Sequence, residues 1–201
     1  MSVSPLDLCA RRMCAGCATR GTWLCGACAG ALSPPVEHAP VPGIAAIHCP
    51  WAYDGAARDL MLAVKLRGRR DAASPLVVGV VHAIRAAGSL AASVTWVPAR
   101  KRDIRRRGFD HAEVIAAGVA QGLGLPAHRL LARRLVRPDQ AGLSAAERRA
   151  NLLGAFSSRR CSGAVLLVDD LVTTGATARA CAGALRDAGA ARVELAVACR
   201  A

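Results

Sequence analysis

The sequence predicts an α/β domain: a largely parallel sheet flanked by helices, preceded by a small zinc-binding knuckle. Three observations carry this. Short apolar runs alternate with stretches of helical spacing from residue 44 onward, the order that builds strand–helix–strand units. The chain is 53% hydrophobic but only 3% aromatic, so its core rests on Ala, Val and Leu, which suits helices packed over a sheet. Five of the nine cysteines fall within the first 28 residues.

Those cysteines define the first element. Cys14-x-x-Cys17 is followed by Cys25-x-x-Cys28. Each such turn presents two thiolates on one side of a tight loop, and two turns close a tetrahedron around Zn²⁺. Four sulfur ligands leave no open coordination position, so the expected role is structural. Cys9 stands outside the paired spacing, while Cys49, Cys161, Cys181 and Cys199 are scattered at apolar positions and read as small core residues. Residues 33–43 contain Pro34, Pro35, Pro40 and Pro42, a linker composition. The expected division is a knuckle over 1–32, a linker over 33–43 and one domain over 44–201.

Within that domain, residues 44–51 read as a strand. Leu60, Met61 and Val64 give 55–66 a helical spacing, and a second helix is expected over 73–87. Residues 93–97 form a β-branched strand ending at Pro98. Helical periodicity returns over 109–123, stopped by Gly124 and Pro126. Residues 165–168 are continuously apolar, as in a strand buried on both faces. A helix over 175–188 with Gly189 as its stop, then a strand over 193–198, complete the order.

Charge narrows the ligand classes. The net charge is +13, from 27 Lys and Arg against 14 Asp and Glu. Basic residues crowd into 100–107 and recur over 133–149, whereas the segment around Asp169 is acidic. Such a balance attracts nucleic acid or holds phosphorylated small molecules. No apolar run approaches the roughly 20 residues of a membrane span, and residues 1–12 lack the apolar stretch of a secretory signal. The expectation is a cytoplasmic protein.

Residues 165–177, Val-Leu-Leu-Val-Asp-Asp-Leu-Val-Thr-Thr-Gly-Ala-Thr, concentrate the chemistry. A hydrophobic strand delivers Asp169 and Asp170 at its carboxyl end, where ligands of open α/β sheets bind. A loop of small and hydroxylated residues, Thr173, Thr174, Gly175, Ala176 and Thr177, leads into a helix. Unpaired N–H groups and the positive dipole end favour a phosphate there. Paired carboxylates instead accept hydrogen bonds from sugar hydroxyls. Together the two halves ask for a diol beside a phosphate, which a ribose 5-phosphate provides. No Gly-x-x-x-x-Gly-Lys-Ser/Thr occurs, which argues against a P-loop ATPase.

This stretch resembles the phosphoribosyl-pyrophosphate signature of type I phosphoribosyltransferases. Further motifs, Trp51-Ala-Tyr-Asp-Gly55, Lys65-Leu-Arg-Gly-Arg69, Val97-Pro98, Arg107-Gly-Phe109, Gln140-x-x-Leu-Ser144 and Arg148-Arg-x-Asn151 through Phe156, resemble in their order the ComF family. That family is associated with competence for DNA uptake and carries a zinc knuckle on a phosphoribosyltransferase core. It commonly shows Gly-Phe-Asn-Gln where this chain has Gly108-Phe-Asp-His111.

The resemblance implies roles. Asp169 and Asp170 would hold ribose hydroxyls, and the 173–177 loop the 5-phosphate. Arg100, Lys101 and the loop after Val97-Pro98 would approach a pyrophosphate carried with Mg²⁺. Arg107, with Arg105 and Arg106, would neutralise developing charge. Residues 140–156 would form a hood that excludes water. His111, near a helix start, reads as a surface hydrogen-bonder more readily than as a proton donor. Three functions compete: a phosphoribosyltransferase acting on phosphoribosyl pyrophosphate, a sugar-phosphate-binding adaptor without turnover, and a nucleic-acid binder. The last two would serve DNA uptake, with single-stranded DNA or a DNA-uptake helicase as partner.

Overall fold

The computed structural model describes residues 12–35, 37, 39–134 and 154–201, with Arg67 described by its backbone alone. Cys9, Arg148 and Arg149, and the hood up to residue 153, lie outside the described residues. A short helix α1 (Gly26–Gly30) sits inside the knuckle. Then come β1 (Ile47–His48), β2 (Trp51–Ala52), α2 (Gly55–Arg67), α3 (Ala73–Ala87), β3 (Ser93–Trp96), α4 (Lys101–Arg107) and α5 (His111–Leu123). The chain closes with β4 (Leu131–Arg133), β5 (Phe156–Ser158), β6 (Ala164–Val172), α6 (Ala176–Asp187) and β7 (Arg192–Arg200).

The main sheet runs β1-β7-β6-β3, with β2 also on β7, and every pairing is parallel. Alternation along β6 explains its place at the centre. Leu166 and Val168 enter one core with α2, α3 and α5, while Val165 and Leu167 enter another with α6 and the β4–β5 hairpin. All four are fully buried, each worth about 1.5–3 kcal/mol of apolar burial. Helices α3 and α5 approach closely because α5 carries Gly118 and Gly122. A Cβ at either would come within 2.8 Å of Val77 or Val81.

Four local departures from the sequence reading have physical causes. The strand expected over 44–51 is split into β1 and β2, because Pro50 has no N–H to pair. Strand β6 runs on to Val172, so Asp169 and Asp170 lie within it rather than at its end. The basic stretch after Pro98 forms helix α4, ended by Gly108 in the left-handed conformation (φ 80°). Three-residue strands β4 and β5 carry too little periodicity to be read, and they pair across 22 intervening residues.

The proline-rich stretch is mostly exposed among the described residues but anchored at Val41. Val41 is buried in the second core and lies against Gly175, where an added Cβ would meet it at 2.6 Å. Gly175 has φ 71°, in the left-handed region that favours glycine. The turn into α6 therefore needs glycine twice over.

Candidate functional site and metal centre

Strand β3 ends at Trp96, paired with Val168, and Val97 donates to the Val168 carbonyl before the chain turns away. Asp169 and Asp170 thus stand just beyond their neighbour's end, at the ligand-facing rim of a parallel sheet. A cleft of about 280 Å³ opens there. It is lined by Lys65 of α2, the Val97-Pro98-Ala99 turn, Arg100, Asp103, Arg107, His111, Arg133, Asp169 and Thr177.

Of the residues expected from sequence, the cleft gathers Asp169, Arg100, Arg107 and Thr177. Lys101, Thr173 and Thr174 are exposed, and among the described residues none of them lines it, nor do Asp170, Gly175 and Ala176. Thr174 Oγ1 accepts from the Ala176 N–H at 3.4 Å, giving the loop a local turn at the start of α6.

The two acids are held differently. Asp170 is 5% exposed. Its Oδ2 lies 2.9 Å from Lys65 Nζ and also contacts His111 Nε2. Burial alone would raise the Asp170 carboxyl, but the His111 and Lys65 interactions outweigh it and hold it below the usual range. Asp169 is half-buried and accepts the Asp170 N–H at 2.9 Å. Burial, then the neighbouring Asp170 charge, push its carboxyl well above the usual range. One acid is ionised and tied; the other faces the cleft able to carry a proton.

His111 corrects the sequence reading. Its side chain is 13% exposed rather than superficial. Arg107 Nη1 lies 3.1 Å from His111 Nδ1. A guanidinium only donates, so Nδ1 accepts and the ring proton sits on Nε2, facing Asp170. Asp110 supplies the companion role: its Oδ1 accepts from Ala112 N–H at 3.1 Å as the α5 cap, and its Oδ2 accepts from Ala99 N–H at 2.9 Å. Both carboxylate oxygens are used, fixing the cleft turn to the helix start.

Arg133, at the end of β4, is a site residue that the sequence reading missed. Its guanidinium stacks on Phe156 at 4.6 Å. Burial, then the charge of Arg100, lower its pKa. The Nε atoms of Arg133 and Arg107 are buried without a hydrogen-bond partner among the described residues. Cations forced together in this way are stabilised by an anion. Only the Arg-rich composition of 133–149 hinted at Arg133, since its place depends on a pairing with β5.

The knuckle builds a second cluster. The sulfurs of Cys14, Cys17, Cys25 and Cys28 all lie within 4.8 Å of one another, with Cys17 and Cys25 at 3.6 Å. Zn–S bonds of about 2.3 Å set tetrahedral sulfur separations near 3.8 Å, so the four could bind Zn²⁺. The Cys25 N–H points at Cys14 Sγ (3.3 Å) and the Cys28 N–H at Cys25 Sγ (3.5 Å), as suits thiolate ligands. Contact with the other three cysteines pushes the Cys28 thiol up to about 12. Burial acts to raise Cys14, yet backbone N–H groups of the loop bring it down to about 6. Gly16 is needed because a Cβ there would meet Cys28 Sγ at 2.6 Å.

The knuckle is docked on the domain. Trp23 joins the core with Leu60 and Met61, and Arg69 lies over its ring at 4.5 Å. The next residue but one along the same connection, Asp71, pairs with Arg12 at 3.8 Å. Arg70 lies over Phe109 at 4.7 Å and donates to the Gly108 carbonyl at 3.0 Å.

No protein-family model matches the chain. Among solved structures it aligns with the allosteric regulatory enzyme of purine biosynthesis (26% identity, 63% of this chain, 25% of that one, TM-score 0.44). It also aligns with glutamine phosphoribosylpyrophosphate amidotransferase from B. subtilis (27%, 63% and 26%, TM-score 0.44). A third is adenine phosphoribosyltransferase from Leishmania tarentolae (15%, 66% and 59%, TM-score 0.38). No helix among the described residues is long and apolar enough to cross a membrane. Among curated proteins, the chain is 32% identical over 96 residues to Competence protein F of Haemophilus influenzae, spanning 45% of this chain and 42% of that relative. The resemblance to the ComF family read from the motifs is thus met by a partial match to a curated competence protein and by a four-cysteine cluster that could form its zinc knuckle.

Proposed function

We propose that the protein is phosphoribosyltransferase-like and binds phosphoribosyl pyrophosphate or a related sugar phosphate in the cleft beside Asp169. One observation carries this reading: an acid at the rim of a parallel sheet shares its cleft with Lys65, Arg100, Arg107 and Arg133 and with a threonine of the following helix's first turn. A diol and a polyanion are the groups this mixture suits. Asp169 and Asp170 are the proposed ribose residues, and Thr173, Thr174, Gly175, Ala176 and Thr177 the 5-phosphate loop. Arg100, Lys101 and Arg107 are assigned to the pyrophosphate, which would bring Mg²⁺ with it, and Arg133 joins them.

As chemistry, the guanidinium groups would stabilise charge that develops on the departing pyrophosphate, where one well-placed donor is worth about 10²–10³ in rate. Cys14, Cys17, Cys25 and Cys28 are the proposed structural Zn²⁺ ligands. A role in DNA uptake, through single-stranded DNA or a helicase, is the proposed setting, in keeping with the competence relative.

The test is incubation with phosphoribosyl pyrophosphate, Mg²⁺ and a panel of acceptors, with calorimetry alongside. Pyrophosphate release that Asp169→Asn with Asp170→Asn abolishes is the expected result. Binding without release identifies the adaptor. Release that survives both substitutions refutes the site.

A further inference from the structure

At the opposite end of the sheet from the cleft, two segments distant in sequence bring a second set of cations together. Residues 127–130 and 159–162 line an open groove of about 580 Å³, with Ser93 at the start of β3. Their backbones are fixed. The His128 N–H donates to the Val94 carbonyl at 2.8 Å, the Arg159 N–H to the Leu130 carbonyl at 2.9 Å and the Cys161 N–H to the Ala188 carbonyl at 3.0 Å. The side chains of His128, Arg129, Arg159 and Arg160 thus share one space, and no acidic residue lines it. Arg12, Arg58, Arg69, Arg102 and Arg192 each lie within 4.0 Å of a carboxylate; Arg129, Arg159 and Arg160 have no such partner among the described residues. Guanidinium groups that share a concavity repel one another, and an anion that bridges them relieves this.

We propose that this groove is a second anion site, separate from the cleft, and that it takes a small oligophosphate, a molecule with adjacent phosphate groups. A guanidinium fork grips phosphate bidentately, so Arg129, Arg159 and Arg160 together match a row of phosphates, with Ser93 and Ser162 as hydroxyl donors. A groove of this volume suits a small molecule. No aromatic side chain lines it, so the bases of a strand have no surface to stack on, and the phosphates are the part recognised. Strand β6 rises about 17 Å between Ala164 and Asp169, too far for one pyrophosphate to touch both sites. The inference stands apart from the sugar-phosphate reading of the cleft.

Amide proton–nitrogen NMR spectra of the ¹⁵N-labelled protein, titrated with inorganic tripolyphosphate, read the two sites separately. The amides of 127–130 and 159–162 are expected to shift and saturate, and Arg107→Ala, a change in the cleft, to leave their midpoint in place. Arg159→Ala with Arg160→Ala, both at exposed positions, is expected to raise that midpoint about tenfold or more, as for lost charge-assisted hydrogen bonds. Arg129→Ala, read independently of that pair, is expected to raise it several-fold. Arg58→Ala with Arg85→Ala removes equal charge from the exposed surfaces of α2 and α3, and is expected to move it by no more than about twofold. Shifts confined to the cleft, or an equal loss in the α2–α3 variant, overturn the site. A parallel titration uses a short mixed-sequence single strand of DNA. Saturation by the strand at a lower phosphate concentration than tripolyphosphate assigns the groove to a nucleic-acid backbone and overturns the small ligand; weaker strand binding upholds it. Failure of phosphoribosyl pyrophosphate to bind bears on the cleft alone.

Discussion

The knuckle and the cleft face the same electrostatic problem and meet it with opposite charge. In the knuckle, four thiols converge until one of them is held at about 12, an arrangement that suits a compact cation. In the cleft, Lys65, Arg100, Arg107 and Arg133 converge on a space that Asp103 and Asp169 also line, an arrangement that suits an anion. The first cluster closes on itself within 4.8 Å; the second leaves a cavity of about 280 Å³. A closed cluster has room for a single ion, whereas an open one has room for a molecule.

That contrast breaks most readily at the metal. Chelation, or Cys14→Ser with Cys25→Ser, is expected to abolish one bound Zn²⁺ per chain and to lower thermal stability by the largest margin of any change considered. Structural zinc is worth about 10–16 kcal/mol in small peptides. Metal analysis and calorimetric unfolding check this, and an unchanged melting temperature would remove the metal from the comparison. Next in size, Arg133→Ala should weaken pyrophosphate binding about tenfold, as expected for loss of a charge-assisted hydrogen bond, while the unfolding midpoint moves little. Isothermal titration with pyrophosphate alone checks it, and unchanged affinity would exclude Arg133 from the cationic wall.

The smallest effect sharpens the comparison with a third cluster, closed and fully proteinaceous. Glu194 is 1% exposed and accepts from Ser89 Oγ (2.6 Å), His48 Nε2 (2.9 Å), Arg192 Nε (2.9 Å) and the Leu90 N–H (3.3 Å). Burial alone would raise its carboxyl, but these donors outweigh it and bring it to about 2 from an ordinary 4.5. A lowered folded-state value means the stabilisation is complete above pH 4.5 and is lost as pH falls toward 2. Glu194→Gln should therefore flatten the fall in stability across that window, as read by urea unfolding at stepped pH. An unaltered slope would show that Glu194 does not govern it.

Much of the fold was legible because its signals are local. The apolar run at 165–168, the helical spacing of 73–87 and the glycine stop at 124 each reflect neighbours along the chain, and α3 (Ala73–Ala87) falls where the periodicity placed it. The cysteine spacing was legible for the same reason, since a Cys-x-x-Cys turn closes within four residues. What escaped depends on distant pairing. Arg133 enters the cleft through the β4–β5 hairpin, Lys65 through an ion pair from α2 to β6, and the burial of His111 depends on a partner 59 residues away. The double acid was read as a symmetric pair because sequence gives two identical side chains and no sense of which faces inward.

Arg69 and Arg70 join two parts of the molecule across a single peptide bond: one guanidinium lies over Trp23 of the knuckle, the next over Phe109 and onto the Gly108 carbonyl of the turn that follows Arg107. A change in the cysteine loops that displaced Trp23 would therefore be felt one residue away from the contact with the turn that follows Arg107 of the cleft.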